Sequence, residues 1–335
     1  MIPWTRKGSQ IAYLKDLNTH LYMKRKTFSI PLALSLLLVT CTKNDKNKTT
    51  TDPDLSPKTS ASVTPLGAAV TTPFITAYVE VNSNSFHNPG CYTYGSPAKQ
   101  DFTFAAIFAA NINADANGKP ILYFNPQVQS TLNSGNVAYL QSLGIKVLLT
   151  VLGNHENAGW GCFTTYAQAD SFAVQCKNAV NQYGLDGIDI DDEYSTCTTN
   201  TSSLVIALSA LRAELGTTKY LTKALFSDTQ YFSATYNGKK AGDILDYGWE
   251  MSYGNTNYSG RLAPYVSAGM AKTKLGIGVD IGGTDETTAA NFVKNNGYAA
   301  VMTYNVSTTS QTNLSKVTKA LYSNKATNVT ANCLQ

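Results

Sequence analysis

From residue 73 onward the chain alternates between two kinds of segment. Some are short and apolar at nearly every position, such as Ile145-Lys146-Val147-Leu148-Leu149-Thr150-Val151-Leu152. Such runs suit strands buried on both faces, as in a parallel sheet covered by other layers. They predict eight strands, over 74–81, 103–108, 146–152, 187–191, 221–226, 247–253, 274–279 and 299–304. Between several of them lie amphipathic stretches of helical period, over 167–183, 202–215, 287–296 and 314–322. Eight strand-plus-crossover units in one domain over 73–335 fit an α/β fold of the (β/α)8 TIM-barrel type. A doubly wound open sheet is the alternative. It is weakened because no glycine-rich phosphate fingerprint follows the first strand.

The pattern before residue 73 is of another kind. Met23-Lys24-Arg25-Lys26 is basic, and 28–39 is an apolar run of about a dozen residues, too short for a comfortable membrane span. Leu38-Val39-Thr40-Cys41 closes it. A cysteine directly after such a run resembles a bacterial lipobox, which makes Cys41 the expected lipidated first residue and Met23 the expected start. Residues 1–41 then read as an upstream segment plus a lipoprotein signal peptide. Residues 42–72 are rich in Lys, Thr, Asp, Ser and Pro, a composition that reads as a flexible tether. The implied location is that of an exported lipoprotein, in the outer membrane, at the cell surface or in the periplasm. A signal anchor or an ordinary secretory peptide is the competing reading.

Charge supports this division. The net charge is +4, from 26 basic and 22 acidic residues. Residues 1–50 hold nine of the basic and two of the acidic ones, leaving 17 against 20, or −3, for the rest. The positive balance belongs to the leader, and no basic patch argues for nucleic acid. Of six cysteines, Cys91, Cys162, Cys176, Cys197 and Cys333 remain beside Cys41. They allow at most two disulfides and a free thiol, with the pairing unassigned. With three histidines, His20, His87 and His155, and no zinc spacing, neither a metal nor any other cofactor is expected.

The most informative stretch is Leu185-Asp186-Gly187-Ile188-Asp189-Ile190-Asp191-Asp192-Glu193-Tyr194. In a strand, Gly187, Asp189, Asp191 and Glu193 share one face, and Ile188, Ile190 and Asp192 the other. Three carboxyl groups then follow one another at steps of ~6.5–7 Å. They repel one another and resist desolvation, so the row suits acid/base chemistry or cation binding. A solvated acidic face and a calcium loop are the competing readings, though the EF-hand glycine and closing glutamate are missing. In a barrel of this kind chemistry sits at the carboxyl ends of the strands. That gathers Glu80, Asn154, His155, Asp191, Glu193, Tyr253, Asp280 and Tyr304 at one mouth.

The motif Asp186-Gly187-Ile188-Asp189-Ile190-Asp191-Asp192-Glu193 resembles the DGxDxDxE signature of glycoside hydrolase family 18. The stretches 77–82, 107–113, 144–155 and 302–305 resemble strands of its endo-β-N-acetylglucosaminidases, of the endoglycosidase H type. The likeness spans about 76–322. It implies substrate-assisted, retaining hydrolysis through an oxazoline, an exception to the two-carboxylate schemes. The implied substrate is an N-glycan or glycoprotein, high-mannose or hybrid, cut between the two core GlcNAc residues by a monomer.

By the same resemblance Glu193 is the general acid and then the general base. Asp191 accepts the acetamido N–H, and Asp189 shares a proton with Asp191. Tyr253 holds the acetamido carbonyl oxygen. Asn154, His155 and Glu80 are expected to face substrate, while Trp249 and Tyr304 are either sugar-facing aromatics or barrel filler. A chitinase is the alternative, but Gly254 replaces the aspartate usual after the tyrosine, and Met302-Thr303-Tyr304-Asn305 lacks the usual tryptophan. A non-catalytic glycan-binding lipoprotein is a further alternative, disfavoured by the presence of Glu193.

Overall fold

The computed structural model describes residues 70–335. Met23, Cys41 and all but the end of the 42–72 tether lie outside the described residues. Eight strands form the centre: β1 (Phe74–Glu80), β2 (Phe104–Ala114), β3 (Lys146–Gly153), β4 (Gly187–Asp191), β5 (Tyr220–Leu225), β6 (Tyr247–Glu250), β7 (Leu275–Asp280) and β8 (Ala300–Tyr304). Each pairs in parallel with the next, and β8 returns to pair with β1, so the sheet closes into a barrel. The open-sheet alternative is thereby excluded.

The helices are α1 (Pro126–Asn133), α2 (Asn136–Ser142), α3 (Tyr166–Tyr183), α4 (Ser203–Leu215), α5 (Ala241–Ile244), α6 (Tyr258–Ser267), α7 (Glu286–Asn296) and α8 (Gln311–Leu321). Their limits follow local chemistry. In α3, the Thr165 side chain accepts from the Gln168 N–H, and Gly184 ends the helix at φ 65°, a conformation glycine adopts without steric cost.

Strand alternation divides the interior into two layers. Ile75, Ala77, Val79, Ile188, Ile190, Ile277 and Val301 pack outward under the helices. Phe74, Tyr78, Phe104, Leu148, Tyr220, Ala224, Trp249 and Met302 fill the lumen. An eight-stranded barrel is just wide enough for side chains to fill it. At its foot, where the strands begin, Phe104 lies 5.3 Å from Phe74, 4.9 Å from Tyr220 and 5.7 Å from Tyr247 between ring centres.

The crossovers depart from eight regular helices. Between β1 and β2 the described chain has no α-helix. A 3-10 turn (Asn88–Cys91) leads into Tyr92–Tyr94, which pairs with Lys99–Gln100 and with Thr327–Val329. The Cys91–Cys333 disulfide joins this flap to the C-terminal end. Between β5 and β6 the helix shrinks to the single turn of α5. β2 runs past the expected 108 to Ala114 and pairs with Pro120–Tyr123. β6 stops at Glu250 instead of 253, which leaves Tyr253 on a loop.

Candidate active site

β4 places Asp189 and Asp191 on the lumen side, and Glu193 follows just beyond the strand end. Register determines what surrounds Asp189. Thr150 of β3 and Thr222 of β5 stand level with it on either side, and side chains at one level of adjacent strands share a face. Thr150 Oγ1 donates to Asp189 Oδ2 (2.9 Å) and Thr222 Oγ1 to Oδ1 (2.5 Å). The Tyr78 hydroxyl reaches across the lumen to Oδ2 (2.6 Å). Burial raises the Asp189 pKa, and these three donors pull it back down. Where a proton shared between Asp189 and Asp191 was expected, the donors on Asp189 are Tyr78, Thr150 and Thr222, and among the described residues no hydrogen bond joins the two aspartates.

Asp191 contrasts with Asp189. It is 2% exposed, and its Oδ1 is buried with no hydrogen-bond partner. Its pKa is raised well above the ordinary value by burial first, then by the charge of Glu193. Glu193 is half-buried, and its pKa is raised by burial and lowered by the charge of Lys223. A carboxyl so placed holds its proton to higher pH than a solvated one. Tyr253 is 38% exposed as a residue, yet burial around its hydroxyl pushes that pKa well up, with Asp191 the next cause. Its ring stacks on Tyr304, 5.9 Å between centres. Tyr304 also meets Phe108 edge-on at 5.5 Å. Its hydroxyl pKa is raised by burial and then by the charge of Glu80. Asp189, Asp191, Glu193, Tyr253 and Tyr304 are thus brought together.

The remaining expected residues are arranged less closely. Trp249 is fully buried and stacks on Tyr247 at 5.8 Å, so the sugar-facing reading is corrected: the ring sits below the rim and fills the barrel. Its indole N–H favours the ionised form of Asp189 without an aligned hydrogen bond. Glu80 turns onto its own loop, where its Oε1 accepts from Asn82 Nδ2 at 2.6 Å. Asn154 is half-buried and donates to Asn113 Oδ1 (3.0 Å). His155 is exposed, at φ 55°, with its ring 5.1 Å from that of Tyr194. Asp280 is exposed at the end of β7.

The sequence reading missed a buried ion network on the other face of the acid strand. Lys223 is level with Ile190 and points outward. It is 1% exposed, and its Nζ lies 2.6 Å from Asp228 Oδ2. That contact is a close charge pair, while the lysine donates its hydrogen bond to the Ala224 carbonyl (2.9 Å). Tyr265 donates to the other oxygen of Asp228 (2.5 Å). Asp192 is raised to about 6, burial outweighing the opposing charge of Lys223. The one available signal was a lysine at an outward position of an otherwise apolar strand.

Among the described residues, the His, Cys, Asp and Glu groups whose ligand atoms converge are His87, Cys91 and Cys333, within 4.8 Å. Two of these are sulfurs already joined in a disulfide, so the set does not suit a metal. At the mouth the arrangement offers a proton-holding carboxyl, a buried acceptor lacking a donor, and a phenol beside them. Such a set can protonate a leaving oxygen while holding an amide by its N–H.

Comparison with known proteins agrees with this geometry. Residues 58–332 match the family described as Glycosyl hydrolases family 18. The chain is 39% identical over 266 residues to an endo-beta-N-acetylglucosaminidase of Flavobacterium sp. (strain SK1022), covering 75% of this chain and 81% of that one. It is 32% identical over 246 residues to endo-beta-N-acetylglucosaminidase F1 of Elizabethkingia meningoseptica, covering 68% and 71%. Among solved structures it is similar in fold to Bacteroides thetaiotamicron EndoBT-3987 with Man5GlcNAc product. There the TM-score is 0.62 at 24% identity, covering 77% of this chain and 62% of that one.

Proposed function

The chain belongs to glycosyl hydrolases family 18, and from that premise we propose that it is an endo-β-N-acetylglucosaminidase. It hydrolyses the β1,4 bond between the two core GlcNAc residues of N-glycans, high-mannose or hybrid in type. The reading is supported by the shared activity of the two curated relatives, most of whose length the chain spans. The observation that carries it is Asp191: a buried carboxylate oxygen without a donor, on the face and at the strand spacing that set it beside Glu193.

Glu193 enters the reaction protonated and gives its proton to the glycosidic oxygen as the bond to C1 breaks. The carbonyl oxygen of the sugar's own 2-acetamido group closes onto C1 and gives an oxazoline. Its tether supplies the effective molarity that a separate nucleophile lacks. The acetamido N–H donates to Asp191 Oδ1, which also stabilises the positive charge that develops, and the Tyr253 hydroxyl holds the carbonyl oxygen for attack. Glu193, now ionised, takes a proton from the water that opens the oxazoline, and the anomeric configuration is retained. Asp189, held by its three hydroxyl donors, anchors the row beneath Asp191. Asn154, His155, Glu80 and Tyr304 line the approach of the sugar chain.

The test is incubation of the purified protein with a high-mannose glycoprotein, followed by intact mass. A single GlcNAc left on each asparagine is expected. An untouched glycoprotein, together with cleavage of chitin oligomers, would overturn the reading in favour of a chitinase.

We further propose that the domain is exported and works as a monomer, held to a membrane surface through lipidated Cys41 and the 42–72 tether. Two disulfides in the domain support export, since cytosolic thiols are kept reduced. Among the described residues no helix is long and apolar enough to cross a membrane. Cys41→Ser is expected to move the protein from the membrane fraction to the soluble one; unchanged fractionation would remove the anchor from the proposal.

A further inference from the structure

The loop that carries Glu193 has little structure of its own. β4 ends at Asp191 and α4 begins at Ser203. The intervening backbone is fastened to the loop after β3 by three hydrogen bonds: His155 N–H to Tyr194 O (2.5 Å), Thr196 N–H to Glu156 O (3.0 Å) and Asn200 N–H to Gly161 O (2.8 Å). The Cys162–Cys197 disulfide closes the far end. Close approach depends on two glycines. A Cβ on Gly153 would collide with the backbone carbonyl of Glu193, and one on Gly159 with the Ser195 hydroxyl. The buried Trp160 anchors the assembly: its indole N–H donates to Val151 O of β3 (2.8 Å), and its carbonyl accepts from Ser203 at the start of α4 (2.5 Å).

The two residues that meet at the near end, His155 and Tyr194, both hold φ values in the left-handed region, 55° and 60°. For non-glycine residues this costs on the order of 1–3 kcal/mol each and persists only where the surroundings over-determine it. Strain on both sides of one hydrogen bond, directly beside Glu193, needs an external constraint. The disulfide, four residues beyond Glu193, supplies it.

We infer that the loops after β3 and β4 form a clamp that sets the approach of the Glu193 carboxyl, with Cys162 and Cys197 as its positioning residues. The inference rests on the hydrolase reading for its kinetic consequence and not for its geometry. The disulfide-free variant Cys162→Ser/Cys197→Ser is compared with the wild type and with Cys91→Ser/Cys333→Ser, which removes the bridge between the β1–β2 flap and the C-terminal end. In the first, kcat on a glycopeptide is expected to fall about tenfold or more with little change in KM, since a misplaced catalytic group costs rate. The basic limb of its kcat–pH profile is expected to move as the carboxyl becomes hydrated. The second variant is expected to lose thermal stability and keep its kcat and pH profile.

Carbon-13 NMR titration of the Glu193 carboxyl provides a readout independent of turnover. Its midpoint is expected to drop toward the solvated value in the clamp variant and to stay unchanged in Cys91→Ser/Cys333→Ser. Gly153→Ala, which displaces the same loop without touching the bridge, gives the same shift and covers the case in which the double variant does not fold. An unchanged carboxyl titration and an unchanged kcat in folded clamp variants would overturn the inference and leave the bridge as a stability staple. A wild type inactive on glycans, whose clamp variants nevertheless shift the titration, would overturn the reaction and keep the clamp.

Discussion

The two ends of the barrel lumen are built from the same eight strands and solve opposite problems. At the foot, Phe74, Phe104, Tyr220 and Tyr247 interlock as an aromatic plug. At the mouth the inward positions carry Asp191, Tyr304 and, past the strand ends, Glu193 and Tyr253. A cavity of ≈ 490 Å³ lies at the foot, beside Phe74, Lys146, Asp186 and Tyr220, away from the acid row. That cavity lies away from the reactive end of the molecule. What marks that end is the concentration of polar groups whose burial is unfavourable and only partly compensated. The foot maximises packing; the mouth gives up stability for a proton held where water would otherwise remove it.

The sharpest way to break this contrast is Glu193→Gln. It keeps shape and removes the proton, so kcat is expected to fall on the order of 10²–10⁴-fold with an unchanged melting temperature. A variant as fast as wild type would end the assignment. Phe104→Ala at the foot should do the reverse: about 3–5 kcal/mol of stability lost by denaturant unfolding, with the kcat of the folded fraction preserved. Tyr253→Phe removes the hydrogen bond proposed to hold the reacting amide, expected to cost roughly 1.5–3 kcal/mol in kcat/KM and little stability; an equal loss in both would make Tyr253 part of the packing.

Two smaller effects come from titration. The proposed mechanism needs protonated Glu193, and burial raises its pKa, so the rate should fall as pH rises through a midpoint above the solvated glutamate value. A basic limb at the unperturbed value would show an acid exposed to water. At the foot, burial pushes Asp101 up to about 7 from 3.8. Its carboxyl ionises more readily unfolded than folded, so folding stability declines as pH rises from about 4 to 7 and the loss then levels off. Asp101→Asn should flatten that slope, raising the melting temperature at pH 8 and not at pH 4.

The parts of this contrast legible in the sequence are those with a local cause. The strands announce themselves because both faces are buried, and α3 and α7 because Gly184 and Gly297 stop them in a left-handed turn. The acid row is visible because strand period sorts it. Shorter helices were missed for equally local reasons: α1 and α2 have eight and seven residues, and α6 carries Pro264 inside it. The long-range parts left no local trace. Tyr78 reaches Asp189 from 111 residues away, the β1–β2 flap depends on a partner strand near residue 327, and nothing in strand composition links Lys223 to Asp228. For Trp249 the sequence left platform and filler equally open, and its place among the buried rings near the foot makes it filler.

The face-to-face alternation of β4 acts as a ruler with no tolerance. One residue inserted ahead of Asp189 would turn Ile188 and Ile190 toward the glycan and drive the acids against Lys223 and the helix layer. Loss of chemistry and loss of folding would then arrive together. Length variation in this protein must therefore be confined to the loops, where it changes which sugars enter without moving the carboxylates that act on them.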